Sequence, residues 1–291
     1  MKSKVRFVEV GPRDGLQNEK NLVALDAKVA YIDALSSSGL AEIEAGAFVS
    51  PQAVPQMADS GEVFARITRR PGVVYSALVP NEKGLERALA ARAGKLSVFT
   101  AASETFNRKN INASIAESIE RFKPVVSMAK SAGLPVRAYV STAFYCPYEG
   151  PVAPGAVLDV VKRLQDIAVD EISIGDTIGK ASSGDVRRLL EPLLKTVPLE
   201  KIFLHFHDTY GHAVENALLA WREFGVSGYD GSTGGAGGCP YAPGSAGNVA
   251  TEDLASAFEA AGAETGVSLS ALRAAASRIA AHLGPRRGKN K

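Results

Sequence analysis

Four histidines occur in this chain of 291 residues, and three of them, His205, His207 and His212, fall within eight positions. In the stretch Phe203-Leu-His-Phe-His-Asp208, the alternation of a β-strand turns His205 and His207 to one face and Phe206 to the other. Two neutral imidazoles aimed at one point can ligate a divalent cation, and the carboxylate of Asp208 just after them can orient a ring or contact a nearby group. The structural alternative is a pair of hydrogen-bonded core histidines; the clustering of three of the four histidines favours a site. Two ligands do not complete a metal centre, so the others must come from elsewhere in the chain.

Several segments supply candidates. Gly11-Pro-Arg-Asp-Gly15 carries Arg13 and Asp14, Glu42 and Glu44 stand two apart and so share a strand face, and Ser173-Ile-Gly-Asp-Thr177 carries Asp176. Asp-Gly and Gly-Asp-Thr are also ordinary turn chemistry, so each alone is weak, but together they carry weight. Residues 231–248 form a Gly-rich run, of the kind that serves as a lid or binding loop, with Cys239 in its middle and Asn248 at its end. A thiol there can act as a proton donor or acceptor. The Asn248 carboxamide oxygen with Asp14, His205 and His207 makes two nitrogens and two oxygens, leaving two positions of an octahedral shell open. Such a set suits magnesium or manganese bound together with substrate oxygens better than a closed zinc site.

Positioning these groups requires elements that bring their ends together. Hydrophobic patterning predicts eight successive β-then-α units: strand 5–10 with helix 23–38, 41–45 with 59–70, 73–79 with 82–93, 96–100 with 113–132, 136–142 with 156–168, 171–174 with 184–196, 201–207 with 213–224, and 228–232 with 252–261. Eight such units without a composition break indicate an α/β (β/α)8 TIM barrel, whose site lies at the carboxyl ends of the strands. A further helix over 269–283 is expected outside it. A doubly wound open sheet fits less well, because no Gly-x-Gly-x-x-Gly follows the first strand. The expected organisation is one barrel domain over 1–284 followed by a basic tail, 285–291.

Hydrophobic residues make up 46% and charged residues 22% of the chain, an ordinary globular balance. The formal charge of +2 depends on Arg286, Arg287, Lys289 and Lys291 in the last six residues. Nothing in it indicates a nucleic-acid surface, and the tail reads as a solvated end. Two cysteines, Cys146 and Cys239, are too few for a disulfide scaffold, and no apolar run follows the first residues. A reducing, cytoplasmic home is expected, and the lack of about 18 consecutive apolar residues excludes a membrane-spanning helix.

The runs Glu9-Val-Gly-Pro-Arg-Asp-Gly-Leu-Gln-Asn-Glu19, Phe48-Val-Ser-Pro51, Val54-Pro-Gln-Met-Ala-Asp59, Cys146-Pro-Tyr-Glu-Gly150, Gly175-Asp-Thr-Ile-Gly179, His205-x-His-Asp-Thr-Tyr-Gly211 and Gly237-Gly-Cys-Pro-Tyr241 resemble the 3-hydroxy-3-methylglutaryl-CoA lyases. The wider group of metal-dependent barrels includes 2-isopropylmalate and homocitrate synthases, which share the Arg-Asp and His-x-His elements; the Gly-Gly-Cys-Pro-Tyr run resembles the lyases. The resemblance implies a metal-dependent retro-Claisen cleavage to acetyl-CoA and acetoacetate, with magnesium or manganese as cofactor, an acyl-CoA as the small-molecule partner, a role in leucine degradation and a homodimer. It implies that Arg13 stabilises the enolate, that Cys239 transfers a proton, that Asp14, His205, Glu44 and Asp176 assist as ligand, proton shuttle or support, and that Gln17, Tyr139 and Ser173 lie near the substrate. The chain departs from the lyase pattern at Ala47, Phe144, Tyr145, Thr233 and Ala236. If these reshape the pocket, the substrate becomes a different 3-hydroxy-3-substituted glutaryl-CoA; a condensing synthase is the further alternative.

Overall fold

The computed structural model describes residues 4–19, 21–238 and 247–283. Its strands, in chain order, are β1 (Arg6–Glu9), β2 (Glu42–Ala47), β3 (Val74–Leu78), β4 (Lys95–Ala101), β5 (Val136–Ser141), a hairpin of β6 (Tyr145–Cys146) and β7 (Gly150–Pro151), β8 (Glu171–Asp176), β9 (Ile202–Phe206) and β10 (Gly228–Gly231). The helices are α1 (Leu25–Leu35), α2 (Ser60–Arg66), α3 (Glu82–Ala90), α4 (Glu104–Ile111), α5 (Ile115–Ser131), α6 (Pro154–Asp166), α7 (Ser183–Leu193), α8 (Ala213–Phe224), α9 (Thr251–Ala260) and α10 (Leu269–Ala280). All strands but the hairpin pair in parallel, and the sheet closes where β1 lies between β10 and β2, Val8 standing opposite both Asp230 and Glu42. The expected barrel is therefore present.

The expected units are all found, with their ends set by local chemistry. Ser114 and Glu117 form a capping box that starts α5, and Ser182 and Asp185 do the same for α7, each satisfying backbone N–H groups that a helix end leaves orphaned. The helix expected over 59–70 stops at Arg66 because Ile67 is extended, and Pro71 disfavours helix in the residue before it. Strand β8 runs on to Asp176, two residues past its expected end. Helix α4 and the β6–β7 hairpin were not anticipated. The former is a polar segment with little apolar periodicity, held by its Ser103 cap and ended by left-handed Asn112; the latter has only two residues per strand.

An apolar layer separates barrel from helices. Phe258 of α9 is fully buried there among Phe7, Trp221 and Tyr229, and α10 packs against α1. The inside of the barrel is different, because it is stacked with charge. Near the strand starts, Lys95 Nζ lies 2.9 Å from Glu42 and also contacts Glu171. Arg137 is paired with Asp230 at 2.8 Å. Toward the strand ends, Arg13 meets Glu44 at 2.5 Å and Asp14 at 2.7 Å. Glu42 and Glu44 do share a face, but Glu42 opens its strand and so belongs to the far end, away from the mouth. No described helix is long and apolar enough to cross a membrane.

Truncating Phe258 would remove the ring on which three others converge. Phe258→Ala is expected to lower unfolding stability by about 3–5 kcal/mol; a denaturant titration giving less than about 1 kcal/mol would show that the α8–α9 layer collapses into the gap.

Candidate active site and metal centre

The residues after β1 form one turn of π-helix, Gly11–Gly15, closed by the Gly15 N–H donating to the Val10 carbonyl at 3.1 Å. Pro12 at its start lacks an N–H that would have no partner there. Such wide turns often sit at functional sites, and this one lays Arg13 and Asp14 across the barrel mouth. Arg13 is 4% exposed. Its Nε donates to Glu44, whose other oxygen accepts Ser97 Oγ, and its guanidinium lies 5.2 Å from the centre of the Tyr139 ring. Burial works against the charge on Arg13, but Glu44 and Asp14 outweigh it and hold the guanidinium protonated.

Asp14 is engaged on both oxygens. Oδ1 accepts from Arg13 at 2.7 Å and Gln17 Nε2 at 2.8 Å, and Oδ2 accepts from Asn248 Nδ2 at 2.7 Å. Burial alone would raise its pKa, yet Arg13, the two imidazoles and the Asn248 amide bring it down to about 2. It is a carboxylate at any working pH. His207 is pushed the other way, to about 4, by burial and by the neighbouring His205 ring, so it is neutral with a lone pair to offer. The ring centres of His205 and His207 are 5.4 Å apart.

Asp14, His205 and His207 each present a ligand atom, and these atoms lie within 4.8 Å of one another. The donor set fits a divalent ion: one anion, one imidazole held neutral, and a second whose Nδ1 is already occupied by Asp230, leaving Nε2. Formal charge agrees. At the mouth Arg13 stands against both Glu44 and Asp14, an excess of negative charge that a bound cation would offset.

Asn248 reaches the same place. Two acceptors, Asp14 Oδ2 and the Ala236 carbonyl at 3.0 Å, fix its NH2 group between them, so it braces the Asp14 carboxylate. Asp176 is not drawn to the cluster; its oxygens accept the backbone N–H groups of Lys180 and Ala181, and burial pushes it up to about 7. Its role is to shape the β8–α7 loop, where left-handed Gly179 lies so close to the His207 carbonyl that a Cβ would stand 2.7 Å from it. Asp208 accepts the Ala213 N–H at the start of α8, and the carboxylate at the His205 ring is Asp230 instead. His212 is exposed at the head of α8. Cys239 lies outside the described residues.

Tyr139 and Ser173 line a small cavity beside His205, together with Phe99 and Gly175. Burial and Glu44 hold the Tyr139 hydroxyl well above its ordinary pKa, so it stays a neutral phenol with a proton to donate. Ser173 Oγ is bonded to Asp230 at 2.6 Å. Ala47, Phe144, Tyr145 and Ala236, expected to reshape the pocket, are not among the residues lining this cavity; Ala236 packs instead against Gly15 of the π-turn. A separate cleft of ≈620 Å³ lies between α2 and α3, where Arg69 and Arg87 bond to backbone carbonyls. It carries none of these residues.

Three groups escaped sequence reasoning: Asp230, Arg137 and Glu9. The signal available for the first two was a charge within a strand of otherwise inward-facing barrel residues. Glu9 is fully buried outside the barrel wall, and accepts the N–H groups of Gly11 and Thr233 and the hydroxyls of Thr233 and Thr251. It thus ties β1 and the π-turn to the root of the Gly-rich run, so this root is pinned.

A sequence profile described as HMGL-like matches residues 4–279. The chain is 50% identical over 285 residues to the 3-hydroxy-3-isohexenylglutaryl-CoA/hydroxy-methylglutaryl-CoA lyase of Pseudomonas aeruginosa, covering 98% of this chain and 95% of that one. The solved HMG-CoA lyase of Brucella melitensis matches with a TM-score of 0.93 at 47% identity, over 96% of this chain and 98% of the other. An HMG-CoA lyase of Acinetobacter baumannii, solved in complex with coenzyme A and 3-methylmalate, matches with a TM-score of 0.91 at 38% identity, over 95% and 90%.

Burial pushes the Glu9 carboxyl from 4.5 up to about 7. A raised folded-state pKa contributes stability that is fully present below about 4.5 and is lost as pH rises through about 7, worth up to about 3 kcal/mol. Denaturant curves of the wild type and Glu9→Gln at pH 5 and pH 8 are expected to show the wild type losing more stability over that interval than the variant; parallel profiles would contradict this.

Proposed function

This chain belongs to the HMGL-like family, and on that footing we propose that it is a carbon–carbon lyase that cleaves 3-hydroxy-3-methylglutaryl-CoA to acetyl-CoA and acetoacetate. The observation that carries the reading is the convergence of Asp14, His205 and His207 on one point beside the buried guanidinium of Arg13. The identity to named lyases over nearly the whole chain supports it.

Breaking the bond between C2 and C3 of the substrate sends its electron pair toward the thioester as an enolate, while C3 loses its hydroxyl proton and becomes the ketone of acetoacetate. A divalent ion, magnesium or manganese, held by Asp14, His205 and His207 would supply Lewis acidity at the hydroxyl and carboxyl oxygens. Arg13 meets the developing enolate oxygen. Two of its N–H donors are committed to Glu44 and Asp14, so the fork is fixed before substrate arrives, and its remaining donors are left for the thioester. Tyr139 packs its ring against both Arg13 and His205, excluding water from one side. Gln17 and Asn248 hold the Asp14 carboxylate in position.

Proton transfer is assigned to Cys239. It follows Gly237 by two residues, and Gly237 lies against the Asp14 backbone and the Asn248 amide. A cytoplasmic, reducing setting suits this chemistry, and the described cysteine, Cys146, is a free buried thiol. A second substrate, bearing an isohexenyl group at C3, is a specific alternative because the Pseudomonas relative is named for both.

Purified protein with magnesium or manganese is expected to release acetyl-CoA from 3-hydroxy-3-methylglutaryl-CoA and to stop when chelator is added. Cys239→Ala should lower kcat by about 10²–10⁴. Metal-loaded, folded protein that cleaves only the isohexenyl substrate, or neither, would overturn the assignment. Arg13→Lys keeps the charge but not the fork, and should lower kcat by about 10²–10³ with KM little changed; a change confined to KM would remove Arg13 from the enolate.

A further inference from the structure

His205 faces two ways. Its Nδ1 lies 3.2 Å from Oδ2 of Asp230, and its other nitrogen is the one left to face Asp14 and His207. The same Asp230 oxygen accepts Ser173 Oγ at 2.6 Å, while Oδ1 accepts Arg137 Nη2 at 2.8 Å. All of this is inside the barrel, with Asp230 2% and Arg137 1% exposed. An ionised carboxylate can only accept, so the ring proton of His205 must sit on Nδ1 and the lone pair on Nε2.

Arg137 is unusual in turn. Its Nε and Nη1 have no hydrogen-bond partner, and its guanidinium lies 4.0 Å from the centre of the Phe203 ring. Among the described residues its one bonded anion is Asp230. A buried guanidinium held by one carboxylate and the rings of Phe203 and Tyr139 leaves that carboxylate no freedom to turn away. Burial would raise the Asp230 pKa, but Arg137 and His205 hold it below the ordinary carboxylate range.

We propose that Arg137 and Asp230 act as a positioning unit for His205: Arg137 clamps Asp230, and Asp230 sets both the tautomer and the tilt of the imidazole, presenting Nε2 toward Asp14 and His207. Neither residue touches the reacting atoms. The inference deepens the metal reading given above and rests on it for its functional consequence, whereas the tautomer does not depend on a bound ion.

Two measurements test it. In metal-free protein labelled with ¹⁵N-histidine, with the His205 signal assigned by His205→Gln, the wild type is expected to show the Nδ1–H tautomer and Asp230→Asn to lose it. In a titration with Mn²⁺, Asp230→Asn should bind about 10–100-fold more weakly. Because that variant leaves Arg137 buried and unpaired, the double variant Asp230→Asn, Arg137→Met is the control, and it should stay as weak as the single. Recovery of wild-type Mn²⁺ affinity in the double variant would mean that Asp230 only neutralises Arg137, and would overturn the proposal. So would an Nε2–H tautomer in the wild type. Wild-type protein that shows the Nδ1–H tautomer yet binds no Mn²⁺ would support the positioning unit and sink the metal reading instead.

Discussion

Charge inside a closed barrel cannot be left alone. Moving an ion out of water costs several kcal/mol even after the protein relaxes, and only a close counter-charge with good hydrogen bonds offsets it. The interior is built around that constraint. Lys95 between Glu42 and Glu171, Arg137 on Asp230, and Arg13 between Glu44 and Asp14 form successive levels from the strand starts to the mouth. Each level fixes its own side chains, because a paired ion loses stability if it rotates away. The consequence reaches the site: Arg13 is preorganised, and Asp14 is kept ionised where ligands converge.

The same rule explains why the mouth is stitched from distant parts of the chain. The π-turn after β1, the strand β9 and the segment around Asn248 meet through specific bonds: Asn248 to Asp14, the backbone bridge of His207 with Asn248, and Glu9 to Thr233 and Thr251. Left-handed Gly237 allows the chain to pass where a Cβ would stand 2.6 Å from the Asn248 amide. Gly237 and Gly247 of the Gly-rich run lie against one another, with Gly237 beside the Asp14 backbone and the Asn248 amide.

Half-identity to lyases that act on 3-substituted glutaryl-CoA thioesters is matched by the geometry of this chain. Retro-Claisen cleavage needs an oxygen made acidic and an enolate made tolerable, and the two demands fall on opposite sides of one carboxylate, Asp14: the imidazoles on one side, Arg13 on the other. The cleft between α2 and α3, far larger than the cavity at Tyr139, serves neither demand, since its arginines are occupied with backbone carbonyls. Size alone is a poor guide to chemistry here.

The repeating units and the His-x-His spacing were legible in the sequence because both are local: strand alternation and helix periodicity act over a few residues, and two imidazoles on alternate positions must share a face. Arg13, Asp14 and Glu44 were legible for the same reason, as polar residues at strand ends. Their partners were not. Glu42 looked equivalent to Glu44 until closure of the barrel gave it Lys95, Asp176 looked like a site carboxylate until the β8–α7 loop folded its amides onto it, and Asp208 yielded the His205 ring to Asp230 across a neighbouring strand. Asn248 was found, but which end of its amide faces Asp14 depends on the Ala236 carbonyl beside it. The amino-acid sequence by itself determined which residues could do chemistry and on which faces they would stand. Which carboxylate neutralises which cation was decided only by the tertiary structure, because in a closed barrel that pairing is settled by strand register and inward level, and neither leaves a trace in local spacing.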